Sequence, residues 1–298
     1  MLKLKNIDSS PPASSRQSEL SRPDIDESSP PFKIMTLNLR YGNAEDGPNS
    51  WNEDRGTGNR KGIVGDLLQK YQPDIFCTQE ALYYQILDLE NILTGYEWTG
   101  TGREGGREDE HSAVFFDKSR LSLRDSNTFW LSKDPEVVGS TSWGAKLPRI
   151  VTWAQFHGED LSAPFYVFNT HFSNESKQAR NQSAKLLKRS VQNIAGKEAT
   201  IFITGDFNSG PESKAWKILT RGQFQDTWLT AKRKSGPDFT FHGFNGLDAD
   251  ESVQKRIDWI IYRLSNQQKP EMVKIIPYST EKRYPSDHFP VLCILKTL

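Results

Sequence analysis

Short apolar runs rich in β-branched and aromatic residues follow one another along this chain, and most are too short to be helices. FKIMTLNL (32–39), DIFCTQE (74–80), YEWTGT (96–101), SAVFFDK (112–118), SLRDSNTFWL (122–131), RIVTWAQFH (149–157), FYVFNTHF (165–172), TIFITGDF (200–207), RIDWIIYR (256–263), EMVKIIPY (271–278) and PVLCILK (290–296) each predict a strand. Helical spacing is rarer. NRKGIVGDLLQKY sets Ile63, Leu67, Leu68 and Tyr71 on one side, and ALYYQILDLENIL is a second candidate. SKQARNQSAKLLKRSVQNIAG carries Ala184, Leu187, Val191 and Ile194 at helical spacing and stops at Gly196; SKAWKILT is a short fourth. Many strands with a few helices between them predict an α/β fold in which two packed sheets lie inside outer helices.

The chain has 298 residues, enough for a substantial core. Residues 1–31 are dominated by serine, proline and charge, a composition that buries too little apolar surface to order itself, so they read as a disordered leader. Residues 32–298 read as one domain. Basic and acidic residues balance to a net charge of zero, which argues against a long non-specific nucleic-acid footprint but leaves room for a local basic groove. No apolar run approaches the roughly 18 residues of a membrane span. The start, MLKLKNIDSS, lacks the apolar core of a secretory signal. Cys77 and Cys293 both fall in apolar strands and read as core thiols. An intracellular, monomeric protein is the expectation.

The polar residues that interrupt this pattern fall at strand ends. Asn38 closes 32–39 and is followed by Arg40; Glu80 closes 74–80; Asn169 and His171 lie in 165–172; Asp206 and Asn208 follow the apolar run of 200–207. Asp287 and His288 precede the last strand in YPSDHFPV. Any one of them alone reads as a turn cap or a solvated group. Together, strand ends of a layered α/β fold gather into one crevice. Carboxylates, amides and imidazoles without cysteine suit a hard divalent ion and a phosphoryl group.

The pieces TLNLR, TQE, NTHF, TGDFNSGPES, RIDWI and SDHFPV stand in the order found in the endonuclease/exonuclease/phosphatase superfamily, and the chain resembles it from residue 32 to 296. The resemblance implies a DNase-like α/β fold, a four-layer α/β sandwich of two packed, mostly antiparallel sheets flanked by helices. It implies Mg²⁺, with Mn²⁺ as an alternative, held chiefly by Glu80 with Asn38 and Asp287 nearby. Asp206 is then the group that orients and deprotonates water, and Asn208 donates to a phosphate oxygen. The two share one side of an extended segment if Phe207 points into the core. His288 contacts the scissile phosphate and is held by Asp258, whose other reading is a surface ion pair with Arg256. His171, paired with Glu110, matches the DNase-like branch and offers a proton to the leaving oxygen.

Arg40 and Arg149 match phosphate-contacting positions, or else are surface ion-pair residues. His242 in DFTFHGF either shapes substrate choice or is a turn histidine. His111 and His157 read as structural, and Asn169 as support for its strand end.

For the substrate, QEALYYQ replaces the QETK of abasic endonucleases, and GDFNSGPES and KRIDWI replace the GDxNYR and PxWCDRI of inositol phosphatases. The first expectation is therefore a phosphodiesterase acting on single-stranded nucleic acid or a nucleotide-like substrate. The alternative is a phosphomonoesterase for a small phosphorylated sugar, inositol or lipid head group. Loops 41–60 and 132–148 flank the site. Their Trp51 and Trp143 either stack on a base or sugar or pin the loops to the body.

Overall fold

A computed structural model of the chain describes residues 30–52, 59–158, 163–265, 268–296 and 298. The leader lies outside these residues except for Pro30 and Pro31, as does the 53–58 part of the first flanking loop. One sheet has seven strands. From edge to edge they are β10 (Arg233–Ser235), β12 (Met272–Ile275), β13 (Val291–Leu295), β1 (Phe32–Asn38), β2 (Ile75–Gln79), β4 (Val114–Asp117) and β3 (Tyr96–Thr99). The other has six: β5 (Leu121–Trp130), β6 (Ile150–Gly158), β7 (Phe165–His171), β8 (Thr200–Asp206), β11 (Asp258–Arg263) and β9 (Gln225–Asp226). The helices are α1 (Arg60–Tyr71), α2 (Tyr83–Ile92), α3 (Lys177–Ala195), α4 (Lys214–Leu219) and α5 (Thr227–Thr230). Each expected strand and helix is present. The strands that the sequence did not announce, β9 and β10, are two and three polar residues long and carry no apolar alternation.

Strand periodicity explains the layers. Phe32 and Ile34 of β1, Ile75 and Cys77 of β2, Phe165 and Val167 of β7, Phe202 of β8 and Ile260 of β11 meet between the sheets in one buried cluster. Their neighbours in sequence point the other way. Met35, Leu37 and Phe76 pack with Leu67, Leu68, Ile86 and Leu89 of α1 and α2. Phe168, Ile201, Ile203 and Ile261 pack with Ala184, Leu187 and Val191 of α3. Successive residues of a strand face opposite sides, so a continuous apolar run is what a strand covered on both faces requires. The result is helices, sheet, sheet, helices. Ser176 opens α3 by accepting from the amide of Ala179, and Gly196 ends it at φ 71°.

Most pairings are antiparallel. In the centre of each sheet, however, lies one parallel pair: β1 with β2, and β7 with β8. The carboxyl ends of both pairs come out at the same end of the molecule. No described helix is long and apolar enough to cross a membrane.

Cys77 and Cys293 are fully buried free thiols between the sheets. Burial pushes the Cys77 thiol up to about 12 and raises Cys293 as well. A disulfide-exchange reagent such as Ellman's is expected to label neither in the folded protein at neutral pH and both after denaturation. Labelling of the folded chain at the rate of a free thiol would contradict this packing.

Candidate active site

The strand face that is apolar at the start of each central strand becomes polar at its end. Asn38, Asn169, His171, Asp206 and Asp258 have the same parity as the apolar residues between the sheets, and all are buried. The two sheets therefore present their polar ends to each other. Asn38 Nδ2 donates to Glu80 Oε1 at 2.9 Å and, across the gap between the sheets, to Asp206 Oδ2 at 3.0 Å. Just below, Gln79 Nε2 donates to Asn169 Oδ1 at 2.7 Å, and Asn169 Nδ2 donates to the carbonyls of Thr78 and Ala113. Asn169 is thus a staple between the sheets, in keeping with its expected supporting part.

The chain leaves these strands through sharp turns. Arg40, Glu80 and Asn208 all have left-handed backbones, at φ 61°, 60° and 48°. Such conformations are uncommon for side-chain-bearing residues and collect at functional sites. The turn at Glu80 lets Oε2 accept from the amide of Tyr41 at 2.8 Å. Gly205 has φ 148°, and a Cβ there would lie 2.0 Å from the carbonyl oxygen of Thr170. Only glycine brings β8 this close to β7 immediately before Asp206.

The extended geometry expected for Asp206–Asn208 is not what the chain adopts. The amide of Asn208 donates to Asp206 Oδ1 at 2.8 Å, a local turn. Phe207 does point into the core, stacking on Trp259 at 4.4 Å. The Asn208 side chain still reaches the site. Its Nδ2 lies 3.0 Å from His171 Nε2 and donates to the Phe172 carbonyl at 3.0 Å.

Asp258 belongs to His288. Its Oδ2 is 2.8 Å from His288 Nδ1, while Arg256 bonds Asp226 at 2.8 Å. Burial disfavours a charged His288, but the Asp258 carboxylate overcomes it and raises the imidazole to about 10. The ring is an imidazolium, with Nε2 3.9 Å from Asp206 Oδ2. Burial, and then the charge of Asp258, pushes Asp206 well above the ordinary carboxylate range.

His171 and Glu110 meet, but not directly: His171 Nδ1 is 3.8 Å from Glu110 Oε2. Glu110 is held instead by Arg103 at 3.0 Å, with Arg149 at 3.9 Å. His171 is buried beside Arg149 and falls well below its usual range, so it is neutral. Arg149 is 7% exposed, and its remaining contact is Asn174 Oδ1 at 3.3 Å. Arg40 grips Asp46 with two hydrogen bonds and lies 4.0 Å from Asp287. It is an ion-paired residue whose side chain is 35% exposed.

His242 differs from the expectation of a substrate-facing group. It is fully buried, accepts from the amide of Gly246 through Nδ1, and stacks on Phe289 at 4.0 Å. Its amide donates to the carbonyl of Asp287, so it shapes the turn that carries Asp287 and His288. Both loop tryptophans face inward. Trp51 is fully buried with Nε1 on Asp88, and Trp143 packs against the core below α3.

Several residues near the site were not anticipated. Arg60 is buried and donates to the carbonyls of Leu39, Asn49 and Pro285, tying three segments together. Ser286 donates to the Asn38 carbonyl at 2.6 Å and accepts from the amide of His288. Thr240 Oγ1 accepts from the amides of Ile257 and Asp258. Arg103 is the fourth. All four lie in connections or at element ends, where no periodic pattern marks them; only the burial of a polar side chain in the fold does.

The donor set suits a divalent cation. Glu80, His171 and Asp206 offer atoms within 4.8 Å of one another. A second such group is Asp206, Asp258 and His288, in which Asp258 Oδ2 already holds His288 Nδ1 at 2.8 Å. Asp287 is raised by burial and further by the charge of Glu80. Glu80 and Asp206 are thus placed to share a cation, with Asp287 close enough to feel the charge of Glu80. The Asn38 Oδ1 atom already accepts from the amide of Arg40 at 2.8 Å, so Asn38 serves first as a spacer between two carboxylates.

A buried carboxylate beside an imidazolium, with arginines and a cation site at the joined ends of two sheets, is the arrangement of a phosphoester hydrolase. The chain belongs to the Endonuclease/Exonuclease/phosphatase family, whose model matches residues 35–288. Its fold is that of the endonuclease/exonuclease/phosphatase from Bacteroides vulgatus, with a TM-score of 0.82 and 33% identity over 91% of this chain and 100% of that one. A mannosyl-6-phosphatase from Bacteroides thetaiotaomicron is 30% identical, with a TM-score of 0.79 over 89% of this chain and 99% of that one. Nocturnin of Rattus norvegicus is 22% identical over 95% of this chain and 70% of its own length. Enzymes of this family hydrolyse phosphate esters and generally use divalent metals.

Burial, and then the charge of His288, lowers His242 to about 3. A histidine lowered in this way stabilises the fold fully above its unfolded pKa, and the contribution is lost as pH falls below that value. Urea unfolding at about pH 7.5 and about pH 5.5 should show a loss of about 1 kcal/mol from this group. His242→Gln should remove that part of the difference. His111 and His171 shift in the same direction and keep some slope in the variant. An unchanged difference in the variant would refute a neutral, buried His242.

Proposed function

We propose that this hydrolase cleaves a small phosphorylated sugar or a comparable phosphomonoester by direct attack of water on phosphorus, with Mg²⁺ or Mn²⁺ at Glu80 and Asp287. The observation that carries the chemistry is the pair Asp206 and His288. They are a raised carboxylate and an imidazolium 3.9 Å apart, a proton acceptor for water beside a donor for a phosphoryl oxygen.

Asn38 Nδ2 and the amide of Asn208 fix the two oxygens of Asp206, so the carboxylate can orient a water and take its proton. A raised carboxylate is a better base than an ordinary one. His288 donates from Nε2 and keeps its charge because Asp258 holds Nδ1. Arg149, loosely held, and Arg40, whose side chain is 35% exposed, add donors on either side. His171 Nε2 lies 3.0 Å from Asn208 Nδ2 and 3.4 Å from Asp206 Oδ2, so the ring packs against both groups. Asn208 turns its amide toward phosphate only by giving up one of its present bonds. A cation bound at Glu80 and Asp287 would supply Lewis-acid stabilisation of charge on the phosphoryl oxygens.

This reading puts the monoester ahead of the diester, the reverse of the order expected from the sequence. Two observations support it. Trp51 is fully buried and not free to stack a base, and Trp143 is partly buried against the core. The sugar phosphatase likeness, at 30%, also exceeds the 22% to nocturnin. The diester reading keeps the support of nocturnin's coverage, 95% of this chain.

Turnover of a hexose 6-phosphate, a nitrophenyl diester and a single-stranded oligonucleotide, each with Mg²⁺, decides between the readings. The hexose phosphate is expected to be hydrolysed at least about tenfold better than either diester. Chelation should abolish activity, and Asp206→Asn should lower kcat by about 10³-fold with the fold retained. Preference for a diester would transfer the proposal to that class, and no turnover of any substrate would reject it.

A further inference from the structure

Arg60 is the first residue of α1 and is 1% exposed. Its guanidinium lies against the rings of Trp51 and Phe244, 5.4 and 5.8 Å from their centroids. Every hydrogen-bond partner of the side chain among the described residues is a backbone carbonyl. Nε donates to Asn49, Nη1 to Leu39 and to Pro285 at 3.2 Å, and Nη2 to Arg40 at 3.4 Å. Holding a charge on neutral oxygens inside the protein costs free energy that an apolar side chain at the same place would not. The places of those carbonyls show what the charge secures.

A trans peptide is planar, with its oxygen and its N–H pointing in opposite directions, so a donor that holds the oxygen also aims the N–H. The Leu39 oxygen and the Arg40 N–H belong to one peptide, and that N–H donates to Asn38 Oδ1 at 2.8 Å. Asn38 Nδ2 is thereby left facing Glu80 Oε1 and Asp206 Oδ2. The Arg40 oxygen and the Tyr41 N–H belong to the next peptide, and that N–H donates to Glu80 Oε2 at 2.8 Å. Gln85 Nε2 holds the same Arg40 oxygen at 3.2 Å. The fork of Arg60 thus lies behind two consecutive peptides that hold both oxygens of Glu80, one directly and one through Asn38. Between these peptides is Arg40, whose φ of 61° is uncommon for a residue with a side chain. The Pro285 carbonyl opens the turn that carries Asp287, and the next residue, Ser286, donates to the Asn38 carbonyl.

We infer that Arg60 is a positioning residue for the cation site. Its fork holds the backs of the Leu39–Arg40, Arg40–Tyr41 and Pro285–Ser286 peptides. It thereby sets Glu80, and Asp206 through Asn38, at the spacing at which they share a cation, with the turn of Asp287 joined to them. Arg60 touches neither cation nor substrate. Lysine would keep the charge, but one ammonium on a flexible stem does not reproduce a planar fork that spans these carbonyls. The inference rests on the cation site assigned above and is tested without turnover.

Mn²⁺ binding to the full chain, followed by the electron paramagnetic resonance of the free ion, is expected to weaken about 10- to 100-fold in both Arg60→Lys and Arg60→Met, with cooperative unfolding retained. A residue needed for stability alone would lower the melting temperature and leave the Mn²⁺ affinity of the folded variant unchanged. Unchanged affinity in either folded variant would therefore overturn the inference while leaving the cation site in place. No Mn²⁺ at Glu80 in the unaltered chain would reject the cation site and the inference with it. Should neither variant fold, crystals of the unaltered chain with and without Mn²⁺ decide. The two peptides flanking Arg40 and the Glu80 carboxylate are expected to agree to within about 0.5 Å between them. A flip of either peptide on binding, or departure of the Arg60 fork from the carbonyls, would overturn the inference.

Discussion

The hydrogen bond from Asn38 to Asp206 crosses the interior at 3.0 Å, and the rest of the site is arranged around it. It exists because each sheet has a parallel pair at its centre and both pairs end at the same end of the molecule. An antiparallel neighbour brings its amino end to this pole instead of its carboxyl end. Once β1 and β8 face each other, Glu80 is drawn in through the same Asn38 amide, and His171 through the β7–β8 pairing that sets it opposite Asp206. β11 runs antiparallel to β8, so its first residue, Asp258, also lies opposite Asp206.

That geometry concentrates charge in a chain whose net charge is zero. Asp206, Asp258 and Asp287 are buried within reach of buried Arg60, Arg149 and His288. Burying such groups is costly unless each finds a partner, and here they do so across segments distant in sequence. The arginines divide the work. Arg60 satisfies backbone carbonyls, Arg103 satisfies Glu110, and Arg149 is left with long contacts only. Arg149 is the most loosely held of the three.

Much of this was visible in the order of residues. The nearly continuous apolar runs FKIMTLN, FYVFNTH and TIFITGD announce strands covered on both faces, and the change from apolar to polar at each carboxyl end announces the site. His288 with Asp258 could be paired from the family resemblance, and the geometry agrees. Other residues carried no such mark. His242 looked like a loop histidine, yet stacking on Phe289 takes it inside. Arg60, Thr240 and Ser286 act through backbone groups of segments far away in sequence, and no local spacing encodes that. Asn208 reaches the site by a left-handed turn and not by strand alternation. A single φ value can redirect a side chain while leaving the residue pattern unchanged.

The sequence by itself determined the inventory: which stretches are strands, which face of each is buried, and which carboxylates, amides and imidazoles stand where the apolar runs stop. Those properties are local, because strand parity and burial follow from the alternation of neighbouring residues. Tertiary structure alone decided the partners: Glu110 with Arg103 and not directly with His171, Arg256 with Asp226 and not with Asp258, Trp51 with Asp88 and not with a substrate. Hydrogen bonds and ion pairs act over about 3 Å. Which donor comes that close to which acceptor depends on how the two sheets stack and how each strand end turns, and no stretch of chain carries that information alone.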